Sequence, residues 1–423
     1  MVSEKTRVAV LGGGIIGVCA ASWLLRQGAD VTIVERNEIG RGTSFGNAGC
    51  FFPSSVVPVS IPGNLPKVPR WLIDRYGPLS IDWRYLPKLA PWLLRFLLAG
   101  RAARVEKQAT ALRPLLRGTQ EVYGPLLDNA GARDLVRPSG NLIVYRDKVA
   151  WDAAAFAWDL RRRHGVDFSM LENERLWEKE PALSRNYAVG VFLPDNSWTV
   201  SPYRLVSTLA NAFVRDGGRV VSGDAVDFIF EGGRLSGLQL DGRRLECDKA
   251  VVAAGAYSRP LTRLLGDRIP LDTERGYHAV IANPRAAIGM PIMDAGANIV
   301  ATPMEEGLRI AGIVEFAGLK AAPNWRRAHN LVDLANNLLP GLHARRGEDQ
   351  TSFWMGFRPS LPDSMPVIGY SRRSRDVVYA FGHGHSGMGG GGRTGKLVSE
   401  LVLGAEPHIP VAPFSPARFT GAR

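Results

Sequence analysis

The feature that most constrains this 423-residue chain lies near its start. Arg7-Val8-Ala9-Val10-Leu11 runs straight into Gly12-Gly13-Gly14-Ile15-Ile16-Gly17, an apolar helical stretch follows to Gln27, and Gly28 closes it. Asp30–Glu35 is then a second strand rich in β-branched residues. Strand, glycine turn, helix and strand in that order predict the opening βαβ unit of a doubly wound parallel sheet. Gly12 permits the tight turn, Gly14 lets a pyrophosphate approach the backbone, and Gly17 allows close helix–strand packing. Ile15 and Ile16 lie between them, at the positive helix end where phosphate meets unpaired N–H groups. Glu35 ends the second strand, where a carboxylate accepts from ribose hydroxyls. Arg36 beside it is a 2′-phosphate ligand if the dinucleotide is NADP, and otherwise a solvated arginine.

FAD and NAD are the leading ligands. Directly after Glu35 comes the loop Gly40–Gly49, whose Thr43, Ser44, Asn47, Ala48 and Gly49 offer N–H groups and hydroxyls to the diphosphate and flavin end of an extended FAD. Composition is that of an ordinary globular protein. Hydrophobic residues make up 45% and charged residues 22%, which excludes a mostly disordered chain. The net charge of +12 calls for an anionic partner: phosphorylated cofactor, carboxylate substrate or membrane surface. No basic tract or nucleic-acid module is present, so nucleic acid is not expected. Cys19, Cys50 and Cys247 form no CxxC pair and read as buried thiols in a reducing compartment. MVSEKTR leads directly into the first strand, so no secretory signal is expected, and no apolar run is long enough to span a bilayer.

Helices are expected near Thr110–Ala130, Trp151–His164 and Pro202–Asp216, and a last one runs through Lys396–Leu403. RPSGNLIVYRD, AVGVFLPDNSWTV, YHAVIAN and LRIAGIVEF read as strands of a second, mixed unit. Lys249–Gly255 is a nearly all-apolar strand. Dinucleotide-type elements therefore occur at both ends and in the middle. The expected fold is an α/β, Rossmann-type FAD/NAD-binding domain (1–85, 203–265, 346–423) interleaved with a mixed β-sheet α+β substrate domain (86–202, 266–345).

The segments VAVLGGGIIGVCAASWLLRQGADVTIVER, GTSFGNAGCFFPSSVVPVSIPG, PWLLRFL, RPSGNL, VVAAGAYS, ERGYH, GFRPSLPDSMPVIG and FGHGHSGMGGGGRTGKL, spread over the whole chain, resemble the D-amino-acid dehydrogenase family. That family is a branch of the FAD-dependent amino-acid and amine oxidases that includes glycine oxidase and sarcosine oxidase. The resemblance implies non-covalent FAD in a split nucleotide-binding domain, with substrate under a mixed sheet. Gly12, Gly14, Gly17 and Glu35 then hold the ADP part, and Ser44, Asn47, Ala48 and Gly49 approach pyrophosphate and flavin. Val226 contacts adenine through its backbone, and Ala254-Gly255 passes near the ADP. The turn through Gly384, His385, Gly387 and Met388 runs beside the flavin ring.

By the same resemblance, Arg358 pairs with a substrate carboxylate, for which a guanidinium fork is suited. Tyr277 and His278 adjoin on one strand and so point to opposite faces; the family pattern favours Tyr277 as the hydroxyl donor to substrate. His383 and His385 lack helical spacing and further ligands, so no metal is expected. The implied reaction is hydride transfer from Cα of a D-amino acid, or of a cyclic or secondary amino acid, to flavin N5, with the imine hydrolysing to a 2-oxo acid. Electrons then pass to a quinone, a respiratory chain or an artificial acceptor, and the apolar, basic PWLLRFLLAGRAAR suits peripheral contact with the inner face of a cell membrane. The alternatives are an oxidase using O2, and a flavin-carrying subunit of a hetero-oligomeric dehydrogenase with little activity alone; a homo- or hetero-oligomer is compatible with either. Gly389–Gly392 departs from the family, which usually carries a threonine and a proline there, and puts flavin affinity in question.

Overall fold

The computed structural model describes residues 5–62, 68–74, 76–347 and 350–419; the Gly63 that ends the Pro-rich family stretch lies outside them. A six-stranded sheet takes the order Arg219–Ser222, Asp30–Glu35, Arg7–Leu11, Lys249–Val252, Val377–Phe381, Val367–Tyr370. Five strands are parallel and the last is an antiparallel edge. Val8 to Leu11 pair with Val31 to Val34 on one side and Lys249 to Val252 on the other. The buried middles of these strands are largely apolar because both faces are covered. On one face, helices Ile15–Arg26, Pro202–Arg215 and Gly387–Leu403 bring Leu24, Leu209 and Leu397 onto Val10 and Val251. The other is closed by a three-stranded antiparallel sheet, Ala225–Glu231, Arg234–Leu240 and Arg243–Glu246, through Leu238 and Leu240.

The second unit is a nine-stranded mixed sheet. Its strands Asp272–Ile281, Gly307–Phe316 and Thr351–Ser360 are joined antiparallel, with helix Trp325–Leu338 packed on one face through Leu331, Val332 and Ala335. Leu79–Ile81 and Thr351–Ser360 come from stretches assigned above to the dinucleotide-binding unit. Ladder hydrogen bonds to Val314–Phe316 and to Asp272–Ile281 draw them into this sheet.

Two helices differ from expectation. Thr110–Ala130 is broken at Gly118, which adopts φ 61°, into Ala102–Leu116 and Thr119–Ala130. Trp151–His164 is a short helix Lys148–Asp152 followed by Ala155–Arg163. The glycine run has a packing cause. A Cβ at Gly391 would stand 2.5 Å from the Tyr123 hydroxyl, one at Gly392 2.8 Å from its ring, and one at Gly395 2.6 Å from the Cys19 carbonyl carbon. Small residues there let three elements converge, and the ordering cost of glycine is offset by the burial they permit. All three cysteines are free, and burial pushes each thiol up to about 12.

Candidate active site

Two of the fingerprint glycines, Gly12 and Gly17, meet backbone. Gly12 has φ 116°, and a Cβ there would lie 2.5 Å from the Ala253 carbonyl oxygen; at Gly17 it would lie 1.9 Å from the Gly12 carbonyl oxygen. Gly14 is the N-cap of helix Ile15–Arg26 and supplies no side-chain cap. Ser44 Oγ instead accepts from the Ile15 N–H at 3.0 Å, and Ile16 lies in the same first turn. Glu35 closes the turn by accepting from the N–H groups of Gly13 (2.7 Å) and Asn37 (3.0 Å). Arg36 stacks its guanidinium 3.6 Å over the Tyr257 ring, beyond Ala254 and the positive-φ Gly255. Val226 sits exposed at a register break of the small antiparallel sheet. A helix start with glycine at its N-cap, the Ser44 hydroxyl on its first N–H and a carboxylate at the strand end are a donor and acceptor set that fits the ADP half of FAD.

The 43–49 loop is strapped to the large sheet. Thr43 donates to the Phe357 carbonyl (2.7 Å), and Arg309 donates to the Phe45 and Asn47 carbonyls (2.9 and 2.6 Å). Thr302 donates to the Ala48 carbonyl (2.9 Å), and Asn47 Oδ1 accepts from the Gly49 N–H (2.8 Å). His278 Nδ1 lies 3.1 Å from the Gly46 carbonyl, so Nδ1 carries the proton, and its ring stacks on Trp354 at 5.2 Å. Burial, with Arg309 nearby, lowers His278 to about 3, which leaves it neutral at pH 7.

Alternation along paired strands decides which side chains share this face. Glu274 is opposite Arg358, Gly276 opposite Gly356, and His278 opposite Trp354. A Cβ on Gly276 would lie 2.2 Å from Arg358 Cζ, so the guanidinium rests on bare backbone. Arg358 donates to the Ile313 carbonyl at 3.1 Å, its one hydrogen bond among the described residues. Ile313 reaches it from φ 62°, a conformation costly for a β-branched residue, at an irregularity where Gly307–Phe316 pairs with Asp272–Ile281. From the C-terminal side, the Gly384 N–H donates to the Pro359 carbonyl (2.9 Å), and His385 Nε2 stands 3.6 Å from Glu274 Oε2. Gly387 begins the last helix, and the buried Met388 accepts from Tyr123 at 2.6 Å through its carbonyl.

Tyr277 is a correction. It projects to the opposite face, under helix Trp325–Leu338, 1% exposed. Its hydroxyl donates to Glu315 (2.6 Å) and accepts from the Asn324 N–H (2.9 Å). Beside it Arg275, fully buried, donates to the carbonyls of Gly318, Ala321 and Ala322. Period-two alternation assigns His278, not Tyr277, to the face that carries Arg358. Glu274, Trp354, Arg309 and Ile313, which the structure places around Arg358, His278 and the 43–49 loop, are not signalled by the sequence reading. Counting back from Arg358 across an antiparallel pair would have found Glu274; Ile313 carried no signal, since its carbonyl is aimed by a bulge.

Residues 7–401 match the family described as FAD dependent oxidoreductase, DAO. The chain belongs to that family. Its cofactor is FAD. A D-amino-acid oxidase of Bradyrhizobium diazoefficiens is 42% identical over 419 residues, covering 98% of this chain and 99% of that protein. Glycine oxidase from Geobacillus kaustophilus superposes with a TM-score of 0.74 at 21% identity, over 99% of this chain and 100% of its own. L-proline dehydrogenase from P. horikoshii gives 0.72 at 19%, over 98% of each chain. These structures establish the shared fold. This DAO-family oxidoreductase carries the family's nucleotide-binding sheet and mixed second sheet.

Proposed function

We propose that the enzyme oxidises the Cα–N bond of a D-amino acid, with cyclic and secondary substrates of the D-proline and D-hydroxyproline type included. The product imine hydrolyses to a 2-oxo acid and ammonia, or stays cyclic. One observation carries this reading: Arg358 spends a single N–H on Ile313 and keeps the rest of its fork for an anion, on the sheet face that bears the 43–49 loop. Two parallel charge-assisted bonds hold a carboxylate there and orient Cα. FAD, when bound, supplies the two-electron acceptor. Gly276 leaves room for the guanidinium, and His278 stacks on Trp354 on the same sheet face. The name of the Bradyrhizobium relative supports the D configuration. The test is a screen of D-amino acids and N-alkyl glycines with an artificial electron acceptor. Arg358→Ala is expected to abolish turnover and retain the bound-flavin spectrum; unchanged kinetics would overturn the assignment.

For the acceptor we propose a membrane quinone or respiratory chain, reached from the inner face of the membrane. Helix Leu86–Ala99 buries Leu89 and Trp92 yet also exposes apolar Leu94 and Leu97. Lys88 and Arg95 of this helix and Arg259, Arg263 and Arg268 line one recess of about 700 Å³, which also holds the Asp272 carboxylate. A helix that exposes apolar side chains and also carries Lys88 and Arg95 suits an anionic lipid surface. No helix among the described residues is long and apolar enough to cross a membrane. Salt extraction of membranes, compared for wild type and Leu94→Glu, tests the contact; equal partition of both sinks it. The second reading is O2 as acceptor, favoured by the relative's oxidase name. Stoichiometric peroxide during turnover would establish it.

A further inference from the structure

We propose that Glu274, with His385 beside it, is the amine-binding half of the site, so that the enzyme selects a zwitterion and not merely a carboxylate. The inference rests on the reading of Arg358 given above.

Glu274 is 3% exposed. One oxygen is satisfied, because the Ser360 hydroxyl donates to Oε1. The other, Oε2, is buried and has no hydrogen-bond partner among the described residues. A desolvated carboxylate oxygen without a donor is costly, and such an orphan beside the partly exposed His385 points to a group that arrives from outside. Its surroundings define that group. Arg358 lies opposite on the paired strand and raises no ion pair within 4 Å, while His385 Nε2 approaches Oε2 only to 3.6 Å. Asp272, two residues along the strand, is already held by the Tyr85 hydroxyl at 2.9 Å. No fixed cation therefore satisfies Oε2.

The missing donor must carry positive charge or several N–H groups, and must sit next to whatever anion the guanidinium holds. The α-ammonium of an amino acid meets both conditions through one intervening carbon. A carboxylate lacking the amine brings a second negative charge toward Glu274 and leaves Oε2 unpaired, so it is disfavoured twice. His385 presents a half-exposed imidazole beside Glu274, shifted below its ordinary range by desolvation and by Arg358, with Glu274 opposing. A neutral ring there leaves the ammonium as the cation paired with Glu274.

The experiment is calorimetric titration of the FAD-loaded enzyme with two probes of one skeleton. The first, 2-aminoisobutyrate, is a zwitterion with no Cα–H to lose; the second is isobutyrate. Wild type is expected to bind the zwitterion at least about tenfold more tightly, the worth of one charge-assisted hydrogen bond. Glu274→Gln should lower zwitterion affinity about tenfold or more while isobutyrate binds unchanged or more tightly. A parallel loss of both, or no change in either, overturns the proposal. So does equal affinity of the two probes for wild type, which needs no variant to fold. Arg358→Ala separates the underlying reading: it must weaken both probes, and failure to weaken isobutyrate refutes the carboxylate assignment and not the amine site.

Discussion

Gly391→Ala sets local preference against tertiary packing. Helix propensity favours the alanine by about 1 kcal/mol. The fold opposes it, because the new Cβ would stand 2.5 Å from the Tyr123 hydroxyl and 3.1 Å from Ile15 Cγ1. Tyr123 is 1% exposed, meets Phe51 edge-on at 5.1 Å and donates to the Met388 carbonyl. Overpacking of this kind costs about 1–3 kcal/mol. Displacing the hydroxyl from a buried bond adds about 1–3 kcal/mol. After the propensity gain, a net loss of about 1–5 kcal/mol is expected. Tyr123→Phe removes the atom at 2.5 Å and leaves Ile15 Cγ1 at 3.1 Å and the ring carbon at 3.6 Å as the near contacts. The double variant should therefore be more stable than the sum of the two single changes by about 1 kcal/mol or more. Urea unfolding of the FAD-loaded protein, followed by flavin fluorescence, gives the four midpoints of the cycle. Additivity within about 0.5 kcal/mol, or a Gly391→Ala protein more stable than wild type, would refute the packing explanation of the glycine run.

Tyr277→Phe should leave substrate kinetics nearly unchanged while costing about 1–3 kcal/mol of stability, since it strands the Asn324 N–H and Glu315; a collapse of kcat with stability intact would return Tyr277 to the active site. Gly276→Ala should displace the Arg358 guanidinium, whose Cζ lies 2.2 Å from the new Cβ, and weaken isobutyrate binding by about a hundredfold with the flavin spectrum kept. His278 and His383 are both held near 3 by burial, below the unfolded histidine value of about 6.5. The unfolded chain thus binds more protons between those values, and stability falls as pH drops from about 6.5 toward 3. His383→Gln should flatten that fall by up to about one proton in the slope of stability against pH; an unaltered slope would show that His383 titrates normally.

The nucleotide-binding half was readable because its signals are local. A tight turn needs Gly12, a close crossing needs Gly17, and a doubly covered parallel strand must be apolar, so residues 7–35 announce their own structure. Arg358 stood out through its flanking PDxxPxIG. The face of the second sheet was not readable with the same ease. Tyr277 and His278 are neighbours in the chain, and only the register of Asp272–Ile281 with Thr351–Ser360 separates the core side chain from the site side chain.

The glycine run shows the same division. As a string, Gly389–Gly392 weakens a helix; folded, it makes the space into which Tyr123 inserts. Local sequence determined that this chain winds a dinucleotide fold, because backbone conformation and strand burial are dictated within a few residues. Tertiary structure alone decided that Glu274 lies opposite Arg358 with a bare oxygen and that Ile313 turns its carbonyl to the guanidinium. Those groups come from strands far apart in the chain, and the hydrogen-bond register that brings them together is a property of no single segment.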